Sequence, residues 1–77
     1  MTEKFIEIIN SVKPDVFENP GADLIEEGIL DSLDVMSILT TLEGEYNIDF
    51  DPDDISPENF ASAETIWALI EKTLASG

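Results

Sequence analysis

The stretch EEGILDSLDVMSILTTLEGEY, residues 26–46, decides the fold. From Ser32 onward, Val35, Ile38, Leu39, Leu42 and Tyr46 recur at intervals of three and four, the period that gathers apolar side chains on one face of an α-helix. The spacing predicts a helix over 32–46 with those five residues toward the core. Leu33, Met36, Thr40 and Glu43 fall on another sector, which leaves Leu33 and Met36 as apolar residues on or near the surface. At the helix start both Asp31 and Ser32 can act as N-cap. With Asp31 in that role, Ser32 moves to the first helical position. Its hydroxyl is then free to project beside the positive end of the helix dipole, where unpaired amides suit a phosphodiester.

Working outward, Phe5, Ile8, Ile9 and Val12 predict a first amphipathic helix over 2–12, with Thr2 as its cap and Pro14 just beyond. Residues 14–30 hold two prolines and two glycines and no sustained period. A connection of that length is functional or disordered, and the anchors Val16, Phe17, Leu24, Ile25, Ile29 and Leu30 argue for an ordered loop. After Tyr46 the short alternation to Phe50 is expected to be an extended linker with Ile48 and Phe50 turned inward. Ser56-Pro57-Glu58-Asn59-Phe60 suits one short helical turn. Ser62 should cap a last helix whose face is Ile66, Leu69, Ile70 and Thr73, with Trp67 and Leu74 at the margin. The expected class is all-α, a three-to-four-helix bundle with a long loop between its first two principal helices, forming one domain over residues 1–77.

Eighteen acidic residues against three lysines, Lys4, Lys13 and Lys72, leave a formal net charge of -15 in 77 residues. Phosphate contacts require Lys and Arg, so nucleic-acid binding is excluded as a function class. The field repels anionic lipid and steers the chain toward partners with basic patches. Hydrophobic residues make up 43% of the chain, enough for a core and too many for a disordered acidic tail. No cysteine or histidine is present, so disulfides, thiolate metal sites and His-dependent nucleophilic triads are out of reach. Ser32 is not self-activated, so if it is a functional residue some other protein must act on it. No window approaches a membrane span, and no basic stretch leads into a long apolar run at the start; a cytoplasmic location and no membrane insertion are the expectation. The acidic cluster Asp49, Asp51, Asp53 and Asp54 misses the twelve-residue calcium loop, because Asp54 stands at the Gly position and Phe60 at the closing Glu. No metal site is assigned.

Around Ser32, the run Glu26-Glu27-Gly28-Ile29-Leu30-Asp31-Ser32-Leu33-Asp34-Val35-Met36 resembles the phosphopantetheine attachment signature of the acyl carrier protein family, in which Asp-Ser-Leu opens the second helix after a long loop. Length, acidity, helix order, the acidic linker and the Ser56–Phe60 turn fit the same family. The resemblance implies a monomeric, non-catalytic carrier whose Ser32 receives a covalent 4'-phosphopantetheine arm from coenzyme A, through a phosphopantetheinyl transferase that uses Mg2+. It implies Asp31 near that enzyme's metal, Leu33 and Met36 as the apolar contact for partners, and Asp34 and Glu43 as acidic rim contacts to basic residues. The arm's thiol would hold an acyl or aminoacyl cargo as a thioester. A loading enzyme and a downstream synthase or transferase, in fatty-acid, polyketide or related biosynthesis, complete the implied partners. Ser37, Thr40, Thr41 and Gly44 make the second helix less charged than is usual in fatty-acid synthesis. The Glu-Glu-Gly-Ile-Leu-Asp-Ser-Leu run and the Ser-Pro-Glu-Asn-Phe turn look more like the D-alanyl carriers of cell-wall teichoic acid modification and other dedicated, stand-alone carriers. The competing class is an acidic helical adaptor without a prosthetic group.

Overall fold

The computed structural model describes residues 1–19 and 21–76. It comprises α1 (Glu3–Val12), α2 (Asp15–Glu18), α3 (Ser32–Tyr46), a 3-10 turn (Pro52–Asp54) and α4 (Ala63–Ser76), in that order. Thr2 Oγ1 accepts the Phe5 N–H at 3.3 Å and starts α1 where the sequence predicts. Ser62 and Thr65 cap α4 reciprocally: Thr65 N–H donates to Ser62 Oγ at 3.1 Å, and Ser62 N–H to Thr65 Oγ1 at 3.0 Å. Asn47 ends α3 in the left-handed region at φ 53°, its N–H returning to the Glu43 carbonyl.

One apolar cluster joins these elements. Phe5 and Ile9 of α1, Ile38 and Leu42 of α3, and Ile66 and Ile70 of α4 are fully enclosed. Leu24, Leu30, Phe50 and Phe60 reach the same cluster from the connections. Of the five residues predicted to face inward from α3, Ile38, Leu39 and Leu42 are buried, while Val35 and Tyr46 are half-buried at its two ends. Helices α1 and α3 run antiparallel. Lys4, at the start of α1, donates to the Glu45 carbonyl at the end of α3, and Lys13, just past the end of α1, pairs with Asp34 at the start of α3. Trp67 of α4 closes the far end against Phe5 and Tyr46, with ring centroids 5.2 Å and 6.5 Å away.

The long connection is ordered, as its apolar anchors predict, and it contains one short helix, α2, that the sequence pattern did not disclose. Four residues are too few to show a helical period. Pro20, one of its two prolines, lies outside the described residues. Beyond it, Asp23 Oδ1 accepts the N–H groups of Ile25 and Glu26, both at 3.0 Å, and Leu24 N–H donates to the Ala61 carbonyl at 2.7 Å. Gly28 turns the chain at φ 74°, a conformation side-chain-bearing residues adopt only with strain, just before Leu30 enters the core. The expected helical turn at Ser56–Phe60 is a correction. Those residues form two successive turns, with Asn59 N–H to the Ser56 carbonyl and Phe60 N–H to the Pro57 carbonyl, and no helix. The regular turn lies earlier, at Pro52–Asp54. There Asp51 Oδ1 accepts the Asp53 N–H at 2.9 Å, and Pro52 supplies a preset φ at the first position.

Candidate functional site

The start of α3 is closed by a reciprocal box. Asp31 Oδ1 accepts the Asp34 N–H at 2.9 Å, and Asp34 Oδ2 accepts the Asp31 N–H at 3.2 Å. Because Asp31 fills the cap, Ser32 occupies the first helical position. It is exposed, and its hydroxyl makes no hydrogen bond to any described residue. The N–H groups of the first helical turn have no acceptors within the helix, and the dipole adds a partial positive charge there. The result is a free primary hydroxyl beside donors that tolerate an anionic ester.

Leu33 and Met36 follow on the outer surface at 78% and 53% exposure, far above what apolar side chains of this size show in a core. Beyond them Ser37, Thr40 and Gly44 are exposed and uncharged. Asp34 is turned inward by comparison. Besides the box, its Oδ2 lies 3.3 Å from Lys13 Nζ, and the pair is only 25% and 30% exposed. The Asp31 N–H, above all, and the Lys13 ammonium hold the Asp34 carboxyl below its ordinary value, against the partial burial that pushes it up. Glu43 stands near the other end of α3. Its Oε2 accepts the Phe50 N–H at 3.0 Å and so fastens the linker after α3 to the helix. Asp31, Ser32, Leu33, Asp34 and Met36 therefore form one group at one helix end, and Glu43 is not part of it.

A cleft of about 430 Å³ opens beside Ser32, lined by Ile25, Leu30, Asp31, Ser32, Val35, Met36, Ile55, Ser56, Pro57 and Phe60. Ile55 and Phe60 line the cleft, Phe60 also reaching the packed core, whereas Ile38, Leu39, Leu42, Phe50 and Ile66 lie in the core alone. The sequence singles out Met36, and Val35 could have been found three residues from Ser32 on the same helix. Ser56 and Pro57 reach the cleft from a distant segment and Ile25 and Leu30 from the loop just before α3, and none of them carries such a signal. Among the described residues no group of three or more Asp and Glu side chains is arranged to hold a metal ion. In the acidic linker Asp51 caps the 3-10 turn, and Asp54 pairs with Lys72 at 3.0 Å. No helix among the described residues is long and apolar enough to cross a membrane.

A small helical bundle with an unpartnered serine at the mouth of a cleft is the architecture of a carrier domain. Residues 2–71 match the family of the phosphopantetheine attachment site, and the chain belongs to this family of phosphopantetheine-binding carriers. D-alanyl carrier proteins of Lactococcus lactis subsp. lactis and subsp. cremoris are 35% and 34% identical to it over 74 residues, which cover 94% of this chain and 94% of theirs. Aminoacyl carrier protein 1 of Bradyrhizobium diazoefficiens is 33% identical over 61 residues, 79% of this chain and 64% of that protein. No solved structure matches significantly. The prosthetic group of the family is covalent 4'-phosphopantetheine, and its members work with phosphopantetheinyl transferases and loading enzymes. The residues present fit such a group: a free hydroxyl for the ester, unpaired amides for its charge and an apolar cleft alongside. The family match does not favour the adaptor reading. The fatty-acid biosynthesis expectation gains no support, since these relatives bear D-alanyl and aminoacyl names.

Proposed function

We propose that this chain is a non-catalytic aminoacyl carrier of the D-alanyl type, one cytoplasmic carrier domain with its arm on Ser32. The observation that carries the reading is the division of labour at the start of α3: Asp31 takes the cap, which frees the Ser32 hydroxyl beside the cleft. When bound, 4'-phosphopantetheine supplies a flexible arm ending in a thiol that holds the cargo as a thioester. The chain's own residues orient and present. The Asp31–Asp34 box fixes the first turn of α3 so that Ser32 points outward, Leu33 and Met36 offer an apolar contact, and Ile25, Leu30 and Val35 exclude water from the cleft flank. A small polar cargo is supported by the relatives' names and by the filled interior behind the cleft, where Ile38, Leu42 and Ile66 are fully buried.

The partners in this reading are a phosphopantetheinyl transferase, an aminoacyl-loading enzyme and a downstream transferase, drawn in by basic docking patches through the long-range acidic field. Close contact is different in kind: the exposed face of α3 from Leu33 to Gly44 has no free carboxylate of its own, so partners grip it through apolar packing. Leu33→Asp should leave the fold intact and raise the KM of the loading enzyme about tenfold or more, as the loss of one buried leucine contact predicts. The decisive test is intact mass after incubation with coenzyme A, Mg2+ and a broad-specificity transferase. The wild type gains one arm and Ser32→Ala gains none. No gain on a folded wild-type protein overturns the reading. Charging the modified protein with D-alanine, other amino acids or a fatty acyl donor then tests the cargo, and preference for a long acyl chain would overturn that part.

A further inference from the structure

The first turn of α3 gathers negative charge around one residue. Asp31 precedes Ser32 and Asp34 follows it closely, and the box holds both carboxylates against the backbone of that turn. The chain contains three lysines and no arginine or histidine. Two of the lysines stand elsewhere. Lys4 lies at the far end of α3, 2.9 Å from the Glu45 carbonyl and 4.6 Å from the centre of the Tyr46 ring, and Lys72 pairs with Asp54. Lys13 is the side-chain cation at the start of α3. Its Nζ shares Asp34 Oδ2 with the Asp31 N–H, and its own N–H closes α1 on the Ile9 carbonyl at 2.7 Å.

We propose that Lys13 is a positioning residue for the prosthetic group: the counter-charge that keeps the first turn of α3 intact when a phosphodiester on Ser32 joins Asp31 and Asp34. The inference rests on Ser32 as the attachment point. Before attachment, the ammonium serves one carboxylate. Attachment adds a third negative charge within one helical turn of a chain already at -15, and the helix amides offset only part of it. Lys13 is held there by the end of α1, half-buried, so its charge is less screened than that of a fully exposed lysine.

Urea unfolding of the unmodified and modified forms of wild type and Lys13→Gln tests this, with intact mass establishing modification first. Attachment changes the unfolding constant by some factor in the wild type. In Lys13→Gln that factor should be more unfavourable by about twofold to fivefold, the range for one partly exposed charge interaction. Lys13→Arg should restore the wild-type factor. Lys72→Gln, which removes the same charge at a distance, should leave it unchanged. Equal factors in wild type and Lys13→Gln overturn the proposal. So does an equal response in Lys72→Gln, which would make the effect one of net charge. If Lys13→Gln does not fold, Lys13→Met, which keeps the packing stem, takes its place. A wild-type protein that accepts no arm sinks both the assignment of Ser32 and this inference, whereas a modified protein with equal factors sinks only the role of Lys13.

Discussion

Both ends of α3 lean on α1 through a single lysine, and the two contacts are built differently. At the far end Lys4 covers the Tyr46 ring and bonds a main-chain carbonyl, while Trp67 packs edge to face on Tyr46 and at a tilt of 58° on Phe5. At the near end Lys13 meets a carboxylate inside a capping box, next to an exposed serine and two exposed apolar side chains. The far end draws on buried aromatic area, the largest stabilising contribution available to a small domain. The near end draws on polar and charged contacts worth little individually, arranged so that the serine between them stays unengaged. The fold is held at one end of the helix and leaves a serine unengaged at the other.

The sharpest way to break that comparison is Phe5→Ala. Phe5 is wholly enclosed, so its truncation should cost about 3–5 kcal/mol, a large share of a small domain's stability, as read by urea unfolding. A cost no larger than that of a change at the near end would refute it. Asp31→Ala removes the cap and should cost about 1.5 kcal/mol, with fraying seen by amide exchange in the first turn of α3 and no change at Trp67 fluorescence. Tyr46→Phe sharpens the picture in the other direction. The Tyr46 hydroxyl oxygen is buried with no hydrogen-bond partner among the described residues, and deleting it should raise stability by about 1 kcal/mol in the same urea assay.

The smallest effect is pH dependence. Asp34 titrates below its ordinary value, so its contribution is complete above the unfolded carboxylate value of about 3.9 and is lost as the pH falls through the lower folded value. Acid titration followed by circular dichroism should show a shallower loss in Lys13→Gln than in wild type. Superimposable acid limbs would disconnect Lys13 from Asp34.

The helix starts were legible because capping is local chemistry. Thr2, Asp31 and Ser62 each bond amides within three residues, and the apolar periods of α1, α3 and α4 read directly as buried faces. The exposure of Leu33 and Met36 followed from the same projection. The turn at Pro52–Asp54 and the non-helical run at Ser56–Phe60 did not, because a capping side chain, a proline and then an acidic residue occur in both stretches, Asp51-Pro52-Asp53 and Ser56-Pro57-Glu58; the Asn59 side chain, which donates to the Asp54 carbonyl at 2.6 Å, joins the two turns. Asp34 and Glu43 read alike as surface acids. Only the fold separates them, one tied to Lys13 and the other to the Phe50 amide.

The sequence by itself determined the three principal helices, their buried faces, the acidic field and the candidate serine with its two possible caps, since each depends on residues within a turn or two of one another or on composition alone. The tertiary structure decided which segments wall the cleft, which carboxylates are already occupied and which lysine pairs with Asp34 at the start of α3. Those are distances between residues remote in the chain, and no local period or propensity encodes them.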